Sequence, residues 1–166
     1  MRVRSELPSD IVAIDAVTVA AFENAAHTDH TEQFIVRELR NAGALSVSLV
    51  ADDGGSVVGH VAVSPVTISN NTVGWYGLCP ISVDPGRQRA GIGTQLMQAA
   101  LGELRSIGAA GCVVLGEPSF YSRFGFVAEP GLILPGVPPA YFQALYFNGS
   151  PPAGTVFYHD AFSAKA

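Results

Sequence analysis

Residues 86 to 94 read GRQRAGIGT. Three glycines, Gly86, Gly91 and Gly93, are interspersed with Arg87 and Arg89, and an apolar helical pattern follows at once. These residue types suit an anion. The first turn of a helix leaves backbone N–H groups unpaired at the positive end of its dipole. Glycines let a phosphate approach that backbone, and arginines add charge-assisted bonds. Gly91 and Gly93 would also close a plain strand-to-helix turn, but the arginines are superfluous to a turn. Two common phosphate patterns fail. GIGTQL has leucine where the dinucleotide fingerprint needs its third glycine, and GRQRAGIGT has isoleucine where the triphosphate loop needs lysine.

Other side chains could move protons. Tyr121, in FYSRFGF, carries a donatable hydroxyl, although by residue type alone it reads as an ordinary core-edge aromatic. Glu23, His27 and Glu117 are candidate substrate contacts. With Glu32 they are also candidate proton acceptors, although each by itself reads first as a solvated surface residue, and a water chain would serve as well. His60, in VVGHVAV, reads as a strand residue with a satisfied ring. Cys79 and Cys112 have no metal spacing and no charged neighbour, so they read as small core residues, not nucleophiles. No metal is expected.

The elements that must position these groups follow from periodicity. MRVRSEL reads as a strand, and Pro8, Ser9 and Asp10 open a helix with Ile11, Ile14, Val17 and Ala21 on one side. A second helix is expected over 31–41, stopped by Gly43. Residues 45–52 alternate as a strand, DDGG turns, and VVGHVAVSPV returns. SNNT turns again into a strand over 73–83. Pro80 lies inside that strand, where proline marks a bulge, an edge or a break. From 91 to 107, Ile92, Leu96, Ala100, Leu104 and Ile107 form an apolar helical stripe. CVVL reads as a strand buried on both faces, as in a parallel βαβ unit. A short helical turn over 118–124, a strand beginning at GFV, a proline-rich loop and a last strand YFQALYF complete the outline. The fold class is α/β (α+β), one domain over 1–166.

The bulk composition excludes some functions. The 166 residues are 48% hydrophobic and 14% charged, with net charge −5 and a single lysine, Lys165. No basic face for nucleic acid, no bilayer-length apolar run and no secretory leader is expected from these residues. The cytoplasm is the expected location. An acidic surface mildly favours a cationic substrate.

Gln88-Arg89-Ala90-Gly91-Ile92-Gly93 satisfies the pattern Q/R-x-x-G-x-G/A. It resembles the pyrophosphate-binding motif of the GNAT N-acetyltransferase superfamily. ISVDPGRQRAGIGTQLM is similar to that family's strand, loop and helix in order, and PSFYSRFGF to its later tyrosine helix and G-F strand start. The resemblance covers at least residues 45–128, and the wording around GEPSFYSRFGF is similar to small bacterial members. It implies a central mixed, mostly antiparallel sheet of about 6–7 strands with about four helices, splayed at a bulged strand. It implies acetyl-CoA as cosubstrate, held by backbone from about Arg89 to Thr94. Arg87 or Arg89 would reach the 3′-phosphate, and Ile81, Ser82 and Val83 would lie along the cofactor arm. It makes Tyr121 the acid that protonates the leaving thiolate, with Phe120 as packing. The acceptor would be a primary amine, on a small molecule or a peptide, attacking directly in a ternary complex. By the same resemblance, residues 22–33 and 129–140 set specificity. A non-catalytic acyl-CoA-binding module is the alternative on this fold, and a homodimer is left open.

Overall fold

The computed structural model describes residues 1–26 and 28–165. Strand β1 (Arg2–Ser5) leads through a 3₁₀ turn at Pro8–Asp10 into helix α1 (Ile11–Phe22), and α2 (Glu32–Asn41) follows. Asp10 fixes the entry to α1, accepting from Leu7 N–H at 2.7 Å and pairing with Arg4 at 2.8 Å. Next come β2 (Val47–Asp53), β3 (Ser56–Pro65), β4 (Thr67–Ile68) and β5 (Trp75–Val83). Helix α3 (Ile92–Ser106), β6 (Gly111–Leu115), the short α4 (Pro118–Tyr121), β7 (Leu132–Ile133), β8 (Phe142–Tyr146) and β9 (Gly154–Phe157) complete the order.

The main sheet runs β1-β2-β3-β5-β6-β8, and a small second sheet runs β4-β9-β7. In the main sheet only β5 and β6 are parallel; every other neighbour is antiparallel. Helix α3 makes the crossover connection that a parallel pair requires. It buries Leu96, Met97, Ala100 and Leu104 against Leu49, Val61 and Leu78 on one face of the sheet. Helices α1 and α2 cover the other face, where Ile14, Val36 and Val50 meet. The alternation of β2, β3 and β5 thus feeds two cores.

Three expected elements differ. Ile107 is half exposed, because α3 ends at Ser106 and Gly108 turns the chain away at φ +79°; Met97 and Leu101 take the buried places. The segment at Gly125–Val127 forms no strand. Gly125 has φ +97° and Phe126 is drawn into the core, so only Val127 bridges to Ala144 of β8. The strand over 142–146 is not the last: β9 follows and binds β4 and β7, two-residue strands too short to show a period.

Candidate functional site

The site begins with an irregular strand. In the β3–β5 ladder, Val61 pairs with Ile81 and Val63 with Leu78, so β5 spends three steps where β3 spends two. The extra residue falls at Cys79–Pro80. Proline has no N–H for the ladder, and a bulge there bends β5. The parallel pairing with β6 covers Trp75↔Gly111, Tyr76↔Cys112 and Gly77↔Val113 and goes no further. Beyond Gly77 the two strands diverge. The edge of β5 that faces β6 is therefore open to an extended ligand that offers hydrogen-bonding groups of its own.

The head of α3 stands over that gap. Gly91, the residue before the helix, has φ +84°, and Arg89 is also left-handed at φ +63°. Only glycine takes such a conformation freely. The first helical bond runs from Gln95 N–H to the Gly91 carbonyl at 3.1 Å. The N–H groups of Ile92, Gly93 and Thr94 are left without helical acceptors, at the positive end of a 15-residue helix. Such a head is suited to an anion.

A cleft of about 660 Å³ joins these parts, within the usual size of a ligand site. Ile81 and Val83 form one wall and Gly116, Phe120 and Tyr121 the other, with Ala21 and Phe22 at the end of α1. Tyr121 is buried. Its ring meets Phe120 and Phe126 edge-on, with centroids 5.0 and 5.9 Å away. Gly116 makes room for it: a Cβ there would lie 2.7 Å from the Tyr121 ring. Burial, reinforced by Cys79 and Cys112 close by, pushes the Tyr121 hydroxyl well above its ordinary range. It carries its proton at every physiological pH.

Of the residues expected at the site, Ile81, Val83, Gln88, Arg89, Gly91, Ile92, Gly93, Thr94, Glu117 and Tyr121 line the cleft. Ser82 does not: strand alternation turns it to the opposite face, beside its partner His60, where it is 1% exposed. Ala90 takes no part in the lining. Arg87 is diverted to Asp53, 2.5 Å away, at the end of the β2–β3 hairpin. Glu23 is exposed just past α1 and outside the lining, and His27 lies outside the described residues. Of the two expected specificity segments, 129–140 builds a separate cavity of about 350 Å³ walled by Leu132, Leu134, Val137 and Phe142.

One cleft residue carries no sequence signal of its own. Arg123 donates to Thr94 Oγ1 at 3.2 Å, and its guanidinium stands 5.7 Å over the Phe120 ring. It brings a second arginine to the cleft, opposite Arg89. The FYSRFGF motif points to its tyrosine, and only the fold shows that the segment after α4 returns to the head of α3. The cysteines agree with their expected character: burial pushes the Cys79 thiol up to about 12, helped by the Glu32 carboxylate, and raises Cys112 further.

This geometry can be set beside known proteins. A family model described as an acetyltransferase (GNAT) domain matches residues 44–128, which span β2 through β6 and α4. An N-acetyltransferase of Escherichia coli K12, YhbS, is 41% identical over 127 residues, covering 76% of this chain and 73% of its own length. Its crystal structure in complex with CoA superposes with a TM-score of 0.89 at 34% identity, over 99% of this chain and 93% of that one. A GNAT family acetyltransferase from Brucella melitensis in complex with acetyl-CoA is 46% identical, with a TM-score of 0.87 and 97% of both chains covered. The family model and both relatives agree, and the chain belongs to the GNAT acetyltransferase family.

Proposed function

We propose that this protein is an acetyl-CoA-dependent N-acetyltransferase that moves an acetyl group to a primary amine by direct attack in a ternary complex. The observation that carries the reading is the convergence, in one cleft, of an unpaired strand edge, a bare helix head and a buried, protonated tyrosine. The residues fit the cosubstrate. The N–H groups at Ile92, Gly93 and Thr94 are free for its pyrophosphate, Arg89 and Arg123 stand by with charge, and the β5 edge near Ile81 and Val83 suits its amide-bearing arm. The two relatives solved with CoA or acetyl-CoA support the same ligand.

The cosubstrate supplies an acetyl thioester. Backbone N–H of the bulged strand would steady the negative charge that develops on the acetyl oxygen. Tyr121 would give its proton to sulfur as the C–S bond breaks. A hydroxyl raised by burial is a reluctant acid, so its transfer has to run in concert with the growth of charge on sulfur, which lowers the cost of both. The reading takes residues 1–166 as one domain acting in the cytoplasm, with no metal.

The non-catalytic alternative binds the same ligand and turns nothing over. Thiol release from acetyl-CoA across a panel of primary amines, with the acetylated amine identified by mass spectrometry, separates the two. The enzyme reading expects thiol and acetylated amine in equal amounts. Tight binding of CoA with no amine-dependent release would leave a binding module.

A further inference from the structure

We propose that Glu117 receives the ammonium group of the acceptor and takes its first proton. The proposal rests on the acetyltransferase reading above. The cleft is built for an anion, with Arg89, Arg123 and the head of α3 along it. Among the described residues that line it, Glu117 alone carries a carboxylate. That charge works against a phosphate-bearing ligand. It is not neutralised from within: Glu117 forms no ion pair among the described residues, and Arg123 turns to Thr94 instead, at 3.2 Å. Nor does it cap a helix. Glu117 stands just before α4, and its side chain makes no capping bond there. The fold thus keeps an exposed carboxylate in this cleft for no structural purpose of its own. A cationic N–H donor on the ligand would be its partner.

The backbone holds the carboxylate in place. Just past β6, Gly116 N–H donates to the Tyr141 carbonyl at 3.0 Å, and the buried Gln143 side chain donates to the Gly116 carbonyl at 3.1 Å. The chain is therefore tied to β8 and the turn before it immediately ahead of Glu117. The Glu117 carbonyl then accepts from Tyr121 N–H at 3.2 Å, closing one helical turn. Residues so spaced stand on the same side of the turn. Both line the cleft, so the carboxylate and the Tyr121 hydroxyl are presented to the same space. An ammonium held by Glu117 stands beside the group that protonates the thiolate. Ile81 and Phe120 add apolar walls, which suit an ammonium carried on an aliphatic stem.

The step balances. Glu117 takes one proton from the ammonium, and the freed electron pair forms the C–N bond. The C–S pair leaves to sulfur, which Tyr121 protonates, and the nitrogen's second proton restores Tyr121. Glu117 returns its proton to water, so each turnover releases one proton. The test compares wild type, Glu117→Gln and Glu117→Asp by initial rates on an accepted amine, with CoA affinity measured by calorimetry. We expect Glu117→Gln to lower kcat/KM for the amine about a hundredfold or more, within the range of lost general-base catalysis, and Glu117→Asp to recover part of the loss. CoA affinity of Glu117→Gln should hold or rise, by no more than about threefold, because a negative charge has left an anion's cleft. A loss of kcat/KM under about tenfold would overturn the assignment and leave the enzyme standing. A fall in CoA affinity as large as the fall in rate would also overturn it, making Glu117 a contact of the cosubstrate. If wild type binds CoA and acetylates no amine, the enzyme reading falls, and this assignment with it.

Discussion

At the scale of single residues the chemistry depends on one hydroxyl. Tyr121→Phe keeps the ring contacts with Phe120 and Phe126 and removes the only proton the side chain can give. The expected outcome is a fall in kcat of about 10²–10⁴ with little change in the KM for acetyl-CoA. A rise in KM with kcat intact would make Tyr121 a packing residue. The cysteines should be silent in the chemistry. Burial keeps both thiols protonated, so Cys79→Ala with Cys112→Ala should hold turnover within about tenfold. An acetyl-cysteine adduct seen by mass spectrometry would contradict direct attack. Tyr121 was legible in the sequence through its motif; its environment was not, because Gly116 and Phe126, which enclose it, mean nothing until β6 and α4 are in place.

At the scale of elements, the strand–loop–helix unit was legible because its residues are local to one another. Pro80 announced the bulge, and Gly91 the helix start. What stayed hidden depends on distant partners. Asp53, on a hairpin 34 positions away, withdraws Arg87 from the cleft, and Arg123, 29 positions beyond Thr94, enters it. Strand β9 was invisible for the same reason. The expectation at this scale concerns the two arginines. Arg123→Ala should weaken CoA binding about tenfold and flatten its salt dependence, the usual effect of losing one phosphate contact. Arg87→Ala should leave affinity within about twofold. Titrations at two ionic strengths would check both, and the reverse ranking would return Arg87 to the site.

At the scale of the whole molecule, a partly buried polar chain ties the α2 face together. Arg40 pairs with Glu6 at 2.8 Å, Ser48 donates to Glu6 at 2.8 Å, and the Ser48 hydroxyl lies 2.8 Å from His60 Nε2. The His60 ring expected to be satisfied is half so: Nδ1 has no partner among the described residues. Burial pulls the His60 pKa from 6.5 down to about 4, against the opposing pull of Glu6. The folded state therefore resists a proton that the unfolded chain accepts. Stability is fully present above pH 6.5, declines as the pH falls from 6.5 toward 4, and loses about 3 kcal/mol by the end of that window. Glu6 extends the loss: burial works to raise its pKa, but the bonds from Arg40 and Ser48 outweigh it and hold the carboxyl low, so its contribution disappears on further acidification. Urea unfolding at several pH values should show the decline, and a flat profile between pH 6.5 and 4.5 would contradict the buried neutral histidine.

The central claim is that the head of α3 and the open edge of β5 form the acetyl-CoA site, and Gly93 tests it most directly. Gly91 is a poorer probe, since any side chain at φ +84° strains the backbone whether or not a ligand binds there. At Gly93 the φ is ordinary, and a Cβ would meet only Phe120 at 3.6 Å and Val83 at 3.8 Å, both ordinary contacts. The branched methyls of Gly93→Val would then occupy the cleft between those two walls while the helix stays intact. The measurement is a calorimetric titration of CoA into wild type and Gly93→Val, with unfolding curves to confirm that both are folded. The account predicts a loss of affinity of about a hundredfold or more in a folded variant, roughly the cost of overfilling a packed site. Affinity within about threefold of wild type would place the ligand elsewhere and contradict the account.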